Sequence, residues 1–482
     1  MKESLKKTAI RNIIYSFSAQ TVSIILSVLM SLLVPKMLGV EDFSYWQLFL
    51  FYLSYVGFFH FGITDGVYLK NGGISYENLN KKEIKSEFKV LFFIDLLFLV
   101  IISILAISFV KDSIRSYIII FAGLYLIVAN LNWYLGYIFQ ATNRVNLYSI
   151  SVMIDKLIFL VFIIIAFITK FKNLYVYIPF YIFTTFCALL FSIYYSKEII
   201  LSKSYSIKKS FALAMSSAKV GIKLTLASIS SLLIIGFGRF LVDKEWGIES
   251  FGKFSFALSL TNFFLLFIAQ ISIVLFPTLR NVNAKTAKDL FKKFNEILNA
   301  FLPIIYVLYI PIKVVLGLWL PQYKISLDYL ALLLPICIFD GKNQMINNTY
   351  FKVLREEKKL LIINLVTLLL SATLSVIGVY VVKNIYFVII SMIISVAFRS
   401  IIGEKILYKS LKVRSDLKTT LAELVYSIVF ILVSIKFGSL YAFVMTLSAF
   451  LVYMLVCKTY SVYFESAKMV IDKLRNKKLN TN

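Results

Sequence analysis

Leu33-Val-Pro-Lys-Met-Leu-Gly-Val-Glu-Asp-Phe43 returns, at a constant offset of 208 residues, as Leu241-Val-Asp-Lys-Glu-Trp-Gly-Ile-Glu-Ser-Phe251. Leu, Val, Lys, Gly, Glu and Phe keep their places, and Val40 matches Ile248. Shared apolarity alone does not produce matching Lys, Gly and Glu. Each copy lies between two long apolar runs and reads as the turn of a helical hairpin. Six apolar runs separate the copies, an even number, so both copies have the same membrane orientation. That describes a parallel repeat of two six-span lobes, a construction with which transporters build a central site between halves.

The composition agrees with a membrane protein. Of 482 residues, 60% are apolar and 16% aromatic, against about 45–50% apolar in soluble domains. Disorder is excluded too, because it needs low hydrophobicity. Fourteen apolar runs are long enough to be candidate spans, at about 20 residues per crossing. Span one is Ile13–Val34, span two Phe43–Gly66 and span three Val90–Val110. Spans seven and eight are Gly221–Val242 and Phe254–Phe276, and span ten is Leu327–Phe351. Span thirteen, Leu421–Ile435, is the shortest. The expected fold is an all-α polytopic membrane protein of about 14 helices. Its N-lobe is 1–205 (spans one to six) and its C-lobe 206–412 (spans seven to twelve). Residues 413–482 carry a last span pair, outside the repeat, and a basic tail.

The 51 Lys and Arg outnumber the 25 Asp and Glu, an excess that in a soluble chain suggests nucleic acid. Here its distribution decides. With the N-terminus placed in the cytoplasm, and Lys223 and Arg239 near the two ends of span seven counted with the segments they adjoin, cytoplasmic segments hold 36 Lys and Arg and outer segments 11. Lys156, Lys313, Lys342 and Arg399 fall within spans. The split follows the positive-inside rule, so both termini are expected in the cytoplasm and nucleic acid is not needed as a partner.

Enzymatic signatures are missing from the sequence. It has no phosphate loop G-x-x-x-x-G-K-[ST], no H-E-x-x-H and no Asp-x-Asp. Cys187, Cys337 and Cys457 lie in apolar runs without disulfide or zinc spacing, and His60 is the single histidine. No metal or cofactor is expected. Segments between spans are too short for a soluble catalytic domain.

Polar groups inside spans are the candidate functional residues, because a central charge costs about 2.5–3.5 kcal/mol on insertion scales. Asn12, Ser16, Gln20, Ser23, Ser27 and Ser31 share one face of span one, and Ser255, Ser259 and Asn262 repeat the pattern in span eight. Such stripes either pack helices or wall a wet cavity. Span ten is densest: Pro335-Ile-Cys-Ile-Phe-Asp-Gly-Lys-Asn-Gln-Met-Ile-Asn-Asn-Thr349 places Asp340 and Lys342 near mid-membrane. Pro335 and Gly341 are expected to interrupt that helix. Lys313, Arg399, Arg239 and the neighbours Asp155 and Lys156 complete the set. Arg399 has the alternative of snorkelling towards Glu404, Asp155 and Lys156 that of a buried pair, and Arg239 that of the outer surface.

Leu38-Gly-Val-Glu-Asp-Phe-Ser-Tyr45 and Gly62-Ile-Thr-Asp-Gly66 resemble the polysaccharide transporter family, the Wzx-type flippases of the MOP superfamily. Arg239–Phe256 and Val274-Leu-Phe-Pro-Thr-Leu-Arg280 are similar to that family's second lobe. The chain departs from the family where Gly238, rather than Asp, precedes Arg239. The resemblance implies a MATE-like fold and a transporter rather than an enzyme. Its substrate would be an undecaprenyl-diphosphate-linked oligosaccharide, moved from the inner to the outer leaflet of the bacterial cytoplasmic membrane for O-antigen, lipopolysaccharide, capsule or exopolysaccharide. It also implies membrane lipids, a polysaccharide polymerase and a chain-length regulator as partners, with the chain itself a monomer. A diphosphate needs Lys or Arg in a water-filled chamber, and an excess of intramembrane bases over acids would suit it. Lys342, Asp340, Lys313, Arg399, Lys156, Arg239, Gln20 and Asn262 are the expected substrate-binding residues. A multidrug or cation antiporter, a peptidoglycan lipid-precursor flippase and a membrane polysaccharide polymerase are the alternatives. The antiporter would favour a more acidic cavity, and the polymerase a large outer loop.

Overall fold

A computed structural model of the protein describes residues 25–280, 284–465 and 468. Asn12, Ser16, Gln20 and Ser23 of the span-one stripe lie outside them. The chain is 88% helical, with no strand among the described residues. Among the described residues, ten helical stretches are long and apolar enough to cross a membrane. One of them, Ile207–Leu266, contains expected span seven and the first part of span eight, and Lys285–Trp319 holds all but the last residue of span nine, expected at Ile297–Leu320. Span one is described as Ile25–Met37 (α1).

Packing separates two compact units, Met1–Phe256 and Ala257–Asn482. The first contains α2 (Val40–Leu53), α3 (Ile63–Asn71), α4 (Lys81–Phe109), α5 (Ser113–Ala141), α6 (Val145–Thr169), α7 (Leu174–Tyr195) and the first part of α8 (Ile207–Arg280). Helix starts are written in the sequence. Asn80, Asp112 and Asn173 accept backbone N–H bonds at 2.9–3.2 Å from the first turns of α4, α5 and α7, satisfying donors that have no intrahelical partner. Much of α4 faces outward as bare aliphatic surface, with Ile107 72% and Phe109 77% exposed, which suits hydrocarbon rather than water. Inward, Tyr134, Leu135 and Ile138 of α5 pack with Ile63, Val67, Ile84 and Leu91. Trp46 stacks on Phe159 at 5.7 Å between ring centres.

The aligned glycines of the repeat mark equivalent positions. Gly39 separates α1 from α2, and Gly247 is the non-helical residue at which two helices meet within α8. Their backbones differ: Gly39 has φ −63° and Gly247 φ 76°. The stretch 239–253 is therefore helix on both sides of Gly247.

Span two is not the single helix expected. A 3-10 turn, Val56–His60, follows α2, then Phe61 and Gly62 are both left-handed, and the axis bends by 60° before α3. The bend lays α3 directly against α8. A Cβ on Gly66 would overlap the carbonyl of Ser217, and one on Gly221 would overlap that of Gly62. Thr225 donates to Asp65 at 2.5 Å, Ser217 to Glu87 at 2.8 Å and Lys70 to Ser216 at 3.1 Å across the same crossing.

The second unit continues α8 and adds α9 (Ala284–Phe301), α10 (Ile304–Trp319), α11 (Lys324–Leu333) and α12 (Pro335–Lys342). It then has a π-turn at Asn343–Asn347, α13 (Asn348–Val353), α14 (Glu357–Tyr380), α15 (Ile385–Ser410), α16 (Leu417–Lys436) and α17 (Ser439–Cys457). Span ten is thus helical in pieces. Pro335 opens a new helix as expected, but the irregular turn follows Lys342 rather than forming at Gly341. The short span thirteen extends to 20 residues as α16. Tyr306 stacks on Phe430 at 4.2 Å, joining α10 to α16.

Helix ends are as regular as the starts. Lys170, Arg355, Lys412 and Lys458 adopt φ of 52–56° just beyond α6, α13, α15 and α17. The following N–H reaches the carbonyl five residues back, as in Phe171 to Ala166 at 2.9 Å and Val413 to Tyr408 at 2.9 Å. These are left-handed caps that satisfy terminal carbonyls. Lys383, φ 53°, takes the same conformation after α14.

Two predictions follow from the glycines. Ala at Gly66 or Gly221 forces backbone apart at a close crossing, and overpacking of this kind costs about 1–3 kcal/mol; each variant should melt below wild type in detergent. Gly247→Ala meets no neighbour but is held at a φ costing about 1–2 kcal/mol, whereas Gly39→Ala should be neutral. Equal melting of the two aligned variants would contradict the difference in backbone.

Candidate functional site

Span ten supplies the centre of the site. Its residues from Leu330 to Lys342 are all buried, and Lys342 itself is 4% exposed. Lys342 Nζ lies 2.6 Å from the carboxylate of Glu423 on α16, itself 2% exposed. Two residues earlier on α12, Asp340 pairs with Arg399 of α15 and also accepts from Gln344 Nε2 at 2.8 Å. Asn347, at the end of the π-turn, donates to the backbone carbonyl of Ser400 at 3.1 Å. Glu404, one turn beyond Ser400, is buried as well. Three helices therefore converge on two ion pairs. Buried charges persist only when paired and hydrogen-bonded.

Of the two readings of Arg399, the buried one fits: it is 2% exposed and pairs with Asp340 inside the helix bundle rather than snorkelling towards Glu404. At span ten each cation of the two pairs meets a carboxylate. Glu423 escaped the sequence reading because it is the third residue of span thirteen, the shortest run, where a charge reads as a span end. An acidic residue at the start of such a run was the available signal.

The remaining expected residues do not gather at this centre. Lys313 of α10 pairs with Asp328 of α11 at 2.8 Å, both side chains partly exposed. Lys156 is 3.9 Å from Asp155, which also accepts from Thr184 and Thr185 at 2.8 and 3.2 Å, and Lys156 lies 5.6 Å from the Tyr181 ring. The neighbours do pair, but half-buried rather than buried as the alternative had them. Arg239 is enclosed by aromatic rings. Its guanidinium lies 4.7 Å from the Phe51 ring centre and 5.3 Å from that of Phe251, a cation–π setting rather than an ion pair. Asn262 is exposed, and Gln20 is outside the described residues.

The first unit contains polar groups that sequence reading missed. Asp95 interrupts the apolar run of α4, is fully buried, and accepts from Asn130 Nδ2 at 3.0 Å. Glu87 accepts from Ser217 and Tyr134. Both carboxylates meet amide or hydroxyl donors where a salt bridge would supply a base. Near the other end of α5, Arg115 makes a bidentate pair with Asp243 at 2.5 and 2.7 Å, while Tyr45 donates to Asp112 at 2.9 Å. The planar guanidinium matches the carboxylate with two parallel bonds.

No protein-family model and no curated protein matches the sequence. Solved structures do match in fold. The chain is similar to one described as the lipid II flippase MurJ in an inward closed conformation, with a TM-score of 0.68 and 14% identity. That match covers 95% of this chain and 99% of the other. Inward-facing and outward-facing structures of a multidrug resistance MATE family transporter match with TM-scores of 0.60 and 0.57, each at 14% identity. They cover 83% and 84% of this chain, and 99% and 97% of theirs. The chain has the fold seen in these transporters and flippases of the MOP superfamily.

Proposed function

We propose that the protein is a flippase carrying an undecaprenyl-diphosphate-linked oligosaccharide across the bacterial cytoplasmic membrane by alternating access. The sugars would feed O-antigen, capsule or exopolysaccharide synthesis, with a polymerase and a chain-length regulator acting next. The repeat-based lobes, 1–205 and 206–412, the pair at 413–482 and both cytoplasmic termini belong to this reading.

The observation that carries it is the two buried ion pairs, Lys342–Glu423 and Arg399–Asp340. Each cation has already lost its water and is held by one carboxylate. A diphosphate bears several acceptor oxygens and strong negative charge, so it competes for these cations through charge-assisted bonds. Lys342 supplies a compact ammonium and Arg399 a planar fork, which together suit two adjoining phosphates. Asp340 and Glu423 act as placeholders when substrate is absent. The coverage of the MurJ-like match supports the lipid-substrate class over the drug-transporter class: the MATE matches leave about a helix pair more of this chain uncovered.

A second reading, a cation antiporter, draws on Asp95 and Glu87, buried carboxylates that an organic cation would satisfy. Transport of a fluorescent cationic dye by the purified protein in liposomes separates the two readings. The flippase reading expects none above empty liposomes.

The flippase reading predicts graded complementation in a flippase-deficient strain. At matched membrane abundance, Lys342→Gln should lower surface polysaccharide by about tenfold or more, the worth of a hydrogen bond to a charged group. Lys342→Glu should be worse, and Lys342→Arg should keep most activity. Equal polysaccharide from wild type, Lys342→Gln and Lys342→Glu would end the assignment. Removing one partner of a buried pair also costs about 3–5 kcal/mol of stability, so the exchange Lys342→Glu with Glu423→Lys is the companion experiment. It should restore the melting temperature without restoring transport. Restoration of both would make the pair a packing device only.

A further inference from the structure

The start of α8 leaves one face uncovered. Lys208, Phe211, Ala212, Met215, Ser216 and Lys219 recur at intervals of one to four residues and line an open groove of about 470 Å³. Phe211 is 52% exposed and Met215 44%, and Ile207 beside them is 86% exposed. None of the six lining residues is acidic. Lys208 and Lys219 stand about 16 Å apart along the helix axis. Lys70 of α3 donates to Ser216 Oγ at 3.1 Å, one turn from Lys219. The groove is therefore an apolar floor with one ammonium, Lys208, at one end and two, Lys70 and Lys219, towards the other.

The helix continues directly from this groove into the apolar stretch of span seven. Exposed aromatic and aliphatic side chains flanked by lysines at the foot of a spanning helix fit the zone where acyl chains meet headgroups. We propose that the groove binds an anionic phospholipid, its phosphate on Lys70 together with Lys219 or Lys208 and an acyl chain along Phe211 and Met215. Charge complementarity selects a lipid of net negative headgroup over a zwitterionic one. The floor offers a single hydroxyl, Ser216, and no amide side chain. A glycan needs many such partners, so the groove suits a phospholipid rather than a sugar-bearing lipid diphosphate. The assignment is independent of what the protein transports.

The test uses the purified full-length protein in micelles doped with phosphatidylglycerol or phosphatidylcholine of matched chains, with retained lipid read by native mass spectrometry. Wild type should retain phosphatidylglycerol in preference to phosphatidylcholine. The triple variant Lys70→Gln, Lys208→Gln, Lys219→Gln should weaken that retention about tenfold or more, while the triple replacement by Arg preserves it. Should the Gln triple melt early, Phe211→Ser with Met215→Ser, which leaves the charges in place, must also weaken retention. Equal retention of both lipids by wild type overturns the proposal. So does undiminished phosphatidylglycerol in a folded Gln triple. Stronger retention of undecaprenyl diphosphate than of phosphatidylglycerol, lost in that triple, also overturns it and assigns the groove to a lipid diphosphate.

Discussion

A buried cation needs a counter-charge within hydrogen-bond reach, and the second unit is organised around meeting that need twice. Glu423 answers Lys342 and Asp340 answers Arg399. The effective penalty for an unpaired ion in such surroundings is several kcal/mol, comparable with a large share of a domain's net stability. Satisfying it requires α12, α15 and α16 to approach at a fixed register. The pairs thereby dictate which helices neighbour which, and aromatic packing such as Tyr306 on Phe430 fills the space that remains. The π-turn after Lys342 belongs to the same solution, since it aims Asn347 at the Ser400 carbonyl while Asp340 stays on Arg399.

The first unit meets the same constraint with different chemistry. Its buried carboxylates, Asp95 and Glu87, take amide and hydroxyl donors. Its bidentate pair, Arg115 with Asp243, lies at helix ends. Close backbone contact does the remaining work, with Gly66 and Gly221 letting α3 and α8 touch. Charge pairing in one unit and small-residue packing in the other are the two standard ways of holding helices together without a hydrophobic drive from water.

Much of this was legible in the sequence. Apolar runs give helices because lipid leaves the backbone no other way to satisfy itself, and the glycines of the 208-residue repeat do mark helix junctions. The bend in span two was half visible: Gly62 is a natural left-handed residue, but Phe61 in the same conformation is imposed by tertiary contact. The site was legible in kind and not in pairing. Periodicity places Asp340 and Lys342 on a helix, yet which base meets which acid depends on helices some 60 to 80 residues away, and periodicity has no information about that distance. Arg239 shows the same limit, since no spacing rule announces that two phenylalanines from different segments will enclose a guanidinium.

The left-handed basic caps have a consequence for reading topology. On the expected topology Lys170 and Lys383 belong to the side with few positive charges, yet each occupies the turn just past a helix end. A cation at such a position suits the negative end of the helix dipole. Such residues are retained for the helix they close, not for the orientation of the chain. Discounting them would sharpen the contrast between the two faces, because the minority count is inflated by lysines whose employment is local.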